Sequence, residues 1–134
     1  MNGNISATIR KTALLSSLLF ATAAHALCGQ ANTTLEIETC LGKQQKKVEA
    51  RLNGVYQRVL KGLDQPDTEF EKYSEMKRAL VEAQRAWVKF READCKAVLL
   101  RDASGSLRNA NFIGCMQGHA ERRIKDLDAY ERGD

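Results

Sequence analysis

Residues 80–95 read LVEAQRAWVKFREADC, and this stretch decides the fold class. Its apolar side chains recur at steps of three and four, the period of one face of an amphipathic α-helix. The spacing extends in both directions, and no glycine or proline interrupts residues 68–100. It therefore predicts one long helix with an inward face of Phe70, Tyr73, Met76, Leu80, Ala83, Trp87, Phe90 and Val98.

A second helical pattern precedes this stretch. Its inward positions are predicted to be Leu41, Gln44, Val48, Leu52, Val55, Val59 and Leu63. Thr39 or Thr34 is the expected N-cap, and Gly62 lies near the expected end. The single proline, Pro66, belongs to a tight turn over residues 64–67. Asp67 is the predicted N-cap of the next helix, with Glu69 and Glu71 in its first turn.

A third helical pattern follows the polar loop at residues 102–106. It runs from about residue 110 to 130, and its inward positions are Ile113, Met116, Ala120, Ile124 and Leu127. No segment alternates with the period of two that is typical of strands. The predicted fold class is all-α, an antiparallel helical hairpin or a three-helix bundle, with a short capping segment at residues 27–38.

The N-terminus has the pattern of a secretory signal peptide over residues 1–26. Arg10 and Lys11 precede an apolar run of about twelve residues, and the small residues Ala24 and Ala26 suit a cleavage site. The predicted mature chain is one helical domain, residues 27–134, in the periplasm or secreted. A lipoprotein acylated on Cys28 is the alternative, and Leu27 before that cysteine argues against it. No later segment is apolar enough to predict a membrane span.

Charge argues against nucleic acid as a partner. The whole chain has 21 basic and 17 acidic residues and a formal net charge of +4. Removing residues 1–26 takes away two basic residues and no acid, which leaves 19 basic residues and a net charge of +2. Both signs are interspersed, so no basic face is predicted.

Four cysteines remain in the predicted mature chain, and in a small exported domain an even number indicates disulfides. We expect Cys28 to pair with Cys40, which ties the N-terminal segment to the first helix. We expect Cys95 to pair with Cys115, because an antiparallel turn between the second and third helices brings these positions side by side. Zinc is not expected: 11, 54 and 19 residues separate the successive cysteines, and close C-x2-C pairs are missing.

No catalytic constellation is recognisable, and no enzyme activity, cofactor or metal is predicted. His119 is the sole histidine of the predicted mature chain, and the cysteines are assigned to disulfides. Gln84, Trp87, Arg91, Asp94 and Cys95 lie in one helical stripe. This stripe is interpreted mainly as structural, with Gln84 and Arg91 bonding to neighbouring elements and Trp87 and Phe90 in the core. A binding surface is the alternative.

Several motifs follow one another along the chain: two early cysteines, LNGVY at 52–56, AQRAWVKFR at 83–91, DC at 94–95, a Gly-Ser loop, and Cys115 ahead of Arg122 or Arg123 and of Leu127. This order of motifs resembles the LprI-type lysozyme-inhibitor family. The motif residues carried by the resemblance are Asn53, Tyr56, Gln84, Trp87, Arg91 and Asp94. It implies a small, helical, disulfide-bonded envelope protein that inhibits lysozyme.

Two non-catalytic functions are compatible with this pattern. The first is inhibition of lysozyme through a loop or hairpin end, since the apolar helix faces are needed for the core. The candidate contacts are the acidic turn, Asp64, Asp67, Glu69 and Glu71, and then the polar loop residues Ser104, Ser106 and Asn109. The alternative is an interaction or stress module that binds another envelope partner without inhibiting lysozyme. The sequence does not predict the oligomeric state.

Overall fold

The computed structural model describes residues 28–133, which form three α-helices joined by two loops. The helices are α1 (Thr34–Gly62), α2 (Tyr73–Arg101) and α3 (Arg108–Arg132). No strand occurs within residues 28–133, so the predicted all-α fold is confirmed, and of its two forms the three-helix bundle is the correct one. The predicted signal peptide and Leu27 lie outside the described residues.

The helices run up, down and up, and α3 packs against both α1 and α2. Asp64, just after α1, pairs with Lys77 near the start of α2, as expected for antiparallel neighbours. Arg58 near the end of α1 pairs with Asp128 near the end of α3, which shows that α1 and α3 are parallel. Across the helical part that the structure describes, no helix is long and apolar enough to cross a membrane.

The core lies where all three helices meet. Its buried members are Leu52, Val55, Val59, Leu80, Ala120, Ile124 and Leu127. Trp87 is partly buried and packs against this cluster. All of these positions match the predicted inward faces, and burial of the apolar stripes provides the main stabilisation of the bundle.

Four apolar residues of the second predicted stripe are exposed and do not belong to the core: Phe70, Met76, Ala83 and Phe90. Phe70 is 88% exposed and Phe90 is 59% exposed, and the predictions of buried side chains at all four positions were wrong. Phe70 precedes α2 altogether. Phe90 lies one residue, about 100° of helix rotation, from the buried Arg91, so it falls at the edge of the face that α2 turns inward.

The predicted caps of α1 and α2 also need correction. Thr33, and neither Thr34 nor Thr39, is the N-cap of α1, and it forms a capping box with Glu36. Helix α2 begins at Tyr73 with Lys72 at the N-cap position, so Glu69 and Glu71 lie in the preceding loop. Asp67 still caps the N-terminus of α2, although it is not the N-cap residue, because its carboxylate accepts a hydrogen bond from the backbone N–H of Ser74 at 2.9 Å.

Both predicted disulfides are present. Cys28–Cys40 joins the segment before α1 to its second turn, and Cys95–Cys115 joins α2 to α3. The side-chain amide of Gln44 also donates to Sγ of Cys28 at 3.1 Å. In the loop-entropy model each cross-link of this size contributes roughly 3 kcal/mol to stability, which offsets the small core.

Candidate functional site

The loop between α1 and α2, residues 63–72, is ordered by its own hydrogen bonds. The backbone N–H of Thr68 donates to the carbonyl oxygen of Glu71 at 2.8 Å, and the N–H of Glu71 donates back to Oγ1 of Thr68 at 2.9 Å. Nζ of Lys72 donates to the Thr68 carbonyl oxygen at 2.6 Å. Asp67 fastens the loop to α2 through the backbone and hydroxyl of Ser74. These bonds hold an exposed loop in one conformation.

Three of its four acidic side chains already have partners. Asp64 forms an ion pair with Lys77 at 2.9 Å. The backbone N–H of Ser74 lowers the pKa of Asp67, and the Ser74 hydroxyl adds to that effect. Glu71 accepts a hydrogen bond from the Tyr73 hydroxyl at 2.6 Å, which raises the pKa of that phenol. The acidic turn is therefore partly neutralised and partly used in folding.

Glu69 and Phe70 of the same loop have no such partners. Neither side chain makes a hydrogen bond or an ion pair within residues 28–133. Phe70 is 88% exposed and stands between Glu69 and Glu71. An exposed aromatic residue on an ordered loop can fill a pocket of a partner with little loss of conformational entropy. Sequence periodicity missed the exposure of Phe70, because Phe70 is spaced as if α2 began earlier.

The loop between α2 and α3, residues 102–107, is organised around Asp102. This carboxylate accepts hydrogen bonds from the Arg101 guanidinium and from the Asn111 side chain. These two donors, Arg101 foremost, lower the pKa of Asp102 to about 2. Ser104 and Ser106 are exposed on the loop, and Asn109 is exposed on the first turn of α3. The structure thus places the second set of candidate contacts at the opposite end of α2 from Phe70.

The motif stripe of α2 makes interhelical contacts. Nη1 of Arg91 donates to Oε1 of Glu49 on α1 at 2.7 Å. The same guanidinium lies 4.7 Å from the centroid of the Trp87 ring, a cation–π contact. Nε of Arg91 is buried without a hydrogen-bond partner. These contacts link α1 to α2 beside the core.

A matching contact links α2 to α3. Nε of Arg123 donates to Oε1 of Gln84 at 2.9 Å, and its guanidinium lies 5.9 Å from the Trp87 centroid. Two cations therefore approach one partly buried tryptophan. On α1, Tyr56 packs against the core and Asn53 is exposed. Glu49 and Arg123 were missed as partners because periodicity fixes the face of a residue but not the register between helices.

A third polar contact lies beside the Cys95–Cys115 disulfide. Nε2 of His119 is 2.7 Å from Oδ2 of Asp94, and the Phe90 ring meets the imidazole edge-on at 5.5 Å between centroids. The ligand-type atoms of Asp94, Cys95, Cys115 and His119 all lie within 4.8 Å of one another. Cysteine spacing along the chain could not reveal this cluster, because two members come from each of two helices.

A shallow concavity lies next to this cluster on the surface between α2 and α3. Its lining combines aromatic and charged side chains: Trp87, Phe90, His119, Arg122, Lys125 and Asp126. It is wide open to solvent, and its rim carries both charge signs. It offers a second exposed aromatic residue, Phe90, for comparison with Phe70.

Comparison with known proteins places this geometry in a family. Residues 25–127 match the family described as Lysozyme inhibitor LprI. The chain belongs to the LprI lysozyme inhibitor family. The match includes all four cysteines, both loops and the motif residues of α1 and α2, so the helical, doubly cross-linked bundle described above is the structure of an LprI-family domain.

Two relatives of this LprI-family chain are similar over 104 residues. Uncharacterized protein R02472 of Rhizobium meliloti (strain 1021) is 25% identical, over 75% of this chain and 75% of its own length. Uncharacterized protein YecT of Escherichia coli (strain K12) is 28% identical, over 73% of this chain and 64% of its own length. The matched region therefore spans less than two thirds of YecT. No solved structure matches the chain.

Proposed function

We propose that this protein is an exported, non-catalytic inhibitor of lysozyme that contacts the enzyme through its α1–α2 loop. Family membership supports the inhibitory function. The contact is argued from Phe70, which is 88% exposed on a loop held by its own hydrogen bonds. Export is argued from the signal-peptide pattern of residues 1–26 and from the two disulfides.

The chemistry of the target favours this loop. Lysozyme is a cationic enzyme that cleaves glycan between two carboxylates in an open groove. A protruding aromatic ring can occupy a sugar-binding position in such a groove, and flanking carboxylates can meet the cationic rim. Phe70 between Glu69 and Glu71 has this arrangement. The inhibitor then acts by occluding the groove, without any chemistry of its own.

Charge complementarity in this complex is local. The predicted mature chain has a net charge of +2, which opposes long-range attraction to a cationic enzyme. Lys77 neutralises Asp64, and Lys72 lies at the base of the loop. Glu69 is therefore the carboxylate best placed to attract a cationic surface, and its effect should be confined to about a Debye length, roughly 8 Å.

The test is inhibition of lysozyme during lysis of a bacterial cell-wall suspension, using the oxidised mature protein. We expect Phe70→Ala to raise the concentration for half-inhibition by roughly 30-fold or more, the loss that defines an interface hot spot. Its melting temperature should stay constant because the ring packs against little of the protein. Phe90→Ala is the matched control, since it removes a second exposed phenylalanine from a different surface.

Other outcomes lead to different conclusions. Equal inhibition by Phe70→Ala and the unaltered protein would exclude the loop as the contact. A loss after replacing Ser104, Ser106 and Asn109 would place the contact at the other end of α2. Absence of inhibition by the unaltered protein would leave binding of another envelope partner as the function.

A further inference from the structure

We propose that the reduced form of this protein binds one Zn²⁺ ion through Asp94, Cys95, Cys115 and His119. In the described chain these residues offer one carboxylate oxygen, two sulfurs and one imidazole nitrogen, all within 4.8 Å of one another. In the oxidised form the two sulfurs are bonded to each other, so the same atoms serve either a disulfide or a metal. This inference is independent of lysozyme binding.

The ligand set suits zinc. Zinc binds thiolate, imidazole and carboxylate ligands, at about 2.3 Å for sulfur and roughly 2.0–2.2 Å for nitrogen and oxygen, and its structural sites are tetrahedral with four ligands. Ligand atoms around one such ion are therefore separated by roughly 3.3–3.8 Å. Once the disulfide opens, its sulfurs can separate to this distance while the other atoms shift by about an ångström. The soft thiolates disfavour magnesium and calcium.

Helix geometry brings the ligands together in pairs. Cys115 and His119 are four residues apart on α3, so they lie one turn apart on the same face. Asp94 and Cys95 are adjacent on α2 and approach that face from the facing helix. Asp94 and Cys95 lie about two turns before the end of α2, and Cys115 and His119 lie in the first half of α3, so both pairs stand on long helices and not on flexible loops. A site on such elements is largely formed before the ion arrives.

Burial differs among the four ligands in a way that permits entry. The Cys95 residue is fully buried, and the His119 side chain is 8% exposed. The Asp94 side chain is 50% exposed, so an ion can reach the site from the Asp94 side. Phe90 packs edge-on against the imidazole of His119 and limits its rotation. The half-exposed Phe90 side chain therefore lines one side of the proposed metal site.

The two states are related by a balanced exchange. A dithiol reductant gives two electrons and two protons to the Cys95–Cys115 disulfide and becomes a disulfide itself. Zn²⁺ then displaces the two thiol protons and is bound by two thiolates, the imidazole and the carboxylate. Metal binding and the disulfide exclude each other, so zinc shifts the thiol–disulfide equilibrium toward the reduced protein.

Co²⁺ is the spectroscopic probe for this site. The mature protein with Cys28→Ala and Cys40→Ala retains only Cys95 and Cys115, and it is titrated with Co²⁺ after reduction by a dithiol that is then removed. We expect one equivalent to bind, with the strong visible bands of tetrahedral Co²⁺ and a near-ultraviolet thiolate charge-transfer band. Added Zn²⁺ should displace it. The oxidised protein should show neither band.

Variants separate this site from adventitious binding by two thiols. Asp94→Asn and His119→Gln should each weaken Co²⁺ binding by at least roughly 10-fold, because loss of a mere outer-shell partner of a metal ligand already weakens metal binding by that much. Asp126→Asn is the control, because it removes a nearby carboxylate of α3 outside the cluster. Equal affinity in all of these proteins would overturn the proposal. Octahedral spectra without a thiolate band would also overturn it.

A redox readout completes the test. In a thiol–disulfide buffer, Zn²⁺ at 100 times its dissociation constant should shift the equilibrium of Cys95–Cys115 toward the reduced form by about 100-fold. The His119→Gln variant should show a much smaller shift at the same zinc concentration. Circular dichroism of the reduced protein checks that its helices persist. A reduced chain that is unfolded both with and without zinc would overturn the proposal.

Discussion

Arg91 of α2 donates a hydrogen bond to Glu49 of α1 at 2.7 Å, and its side chain is only 9% exposed. This contact crosses between two helices that are otherwise held together mainly through α3. A buried guanidinium costs considerable desolvation energy unless a carboxylate and other groups compensate for it. The Trp87 ring, 4.7 Å away, is the second group that does so.

The first prediction concerns this ion pair. Glu49→Gln should lower the free energy of unfolding by about 2–3 kcal/mol. This loss is somewhat smaller than the roughly 3–5 kcal/mol that is lost when one partner of a fully buried ion pair is removed. The loss is smaller because the Glu49 side chain is 28% exposed and water can reach it. Urea melts followed by circular dichroism measure the change.

Two further proteins test the cause. Glu82→Gln removes an exposed carboxylate of α2 and should change stability by less than about 0.5 kcal/mol. The double variant Glu49→Leu, Arg91→Met should be more stable than Glu49→Gln alone, because no charge is left buried without a partner. Equal losses in Glu49→Gln and in the double variant would show that packing, and not the charge, dominates at this contact.

The second prediction concerns Trp87, the sole tryptophan of the chain. Trp87→Ala should lower the free energy of unfolding by about 2–4 kcal/mol, at or below the roughly 3–5 kcal/mol typical of a fully buried aromatic residue. The ring is only partly buried, but it packs on the core and contacts two guanidinium groups. Trp87→Phe should lose less, since it keeps an aromatic face. A loss below about 1 kcal/mol for Trp87→Ala would make this residue a candidate for partner binding.

The sequence was sufficient for the elements of this fold. Steps of three and four gave all three helices, Gly62 marked the end of α1, and antiparallel pairing gave Cys95–Cys115. It was insufficient for the start of α2, because Phe70 continues the helical period of Tyr73 backward along the chain, while the backbone before Tyr73 forms a loop fastened by Asp67. Local hydrogen bonding by Asp and Thr competed with the helix and prevailed.

The polar contacts of the site depended on information that periodicity lacks. The polar residues Gln84 and Arg91 occupy the centre of the inward face of α2, whereas the apolar residue Phe90 lies at the edge of that face. Polarity alone predicts the opposite arrangement. The acceptor and donor that make this arrangement stable, Glu49 and Arg123, come from other helices. The distances of the Arg91–Glu49 and Arg123–Gln84 contacts depend on the relative rotation and register of the three helices. The spacing of residues within one helix does not reveal that rotation or register.

The third prediction concerns the pH dependence of stability at the α2–α3 loop. The pKa of Asp102 is lowered from 3.8 to about 2, mainly by the Arg101 guanidinium and then by Asn111. A lowered pKa in the folded state stabilises the protein above the unfolded value, and that contribution disappears as the pH falls from about 4 to 2. The unaltered protein should therefore melt at a higher temperature than Asp102→Asn at pH 6.

Thermal melts of both proteins from pH 7 to pH 2 measure this difference. It should shrink through the interval between pH 4 and 2. Glu36 and Asp67 also have a lowered pKa and titrate in the same direction, but they are present in both proteins and cancel in the comparison. A difference in melting temperature that is constant with pH would show that Asp102 acts through its shape and not its charge.

The fourth prediction rests on the proposed inhibition and separates recognition from folding within one loop. Asp67 holds the loop to α2 through Ser74, whereas Glu69 makes no side-chain hydrogen bond or ion pair in the described structure. Asp67→Ala should therefore lower the melting temperature, as loss of a helix-capping carboxylate does. Glu69→Lys should leave the melting temperature nearly constant and slow association with lysozyme.

We expect the association rate constant of Glu69→Lys to fall by about 2- to 10-fold at low salt and by less at 0.5 M salt, because screening removes the electrostatic part of the rate. Dissociation should change less, since a rim charge mainly steers the encounter. Glu82→Lys is the matched control: it changes the net charge equally from an exposed position on α2. Equal slowing in both variants would mean that only overall charge matters. Slowing confined to Glu69→Lys would locate the contact at the loop that carries Phe70.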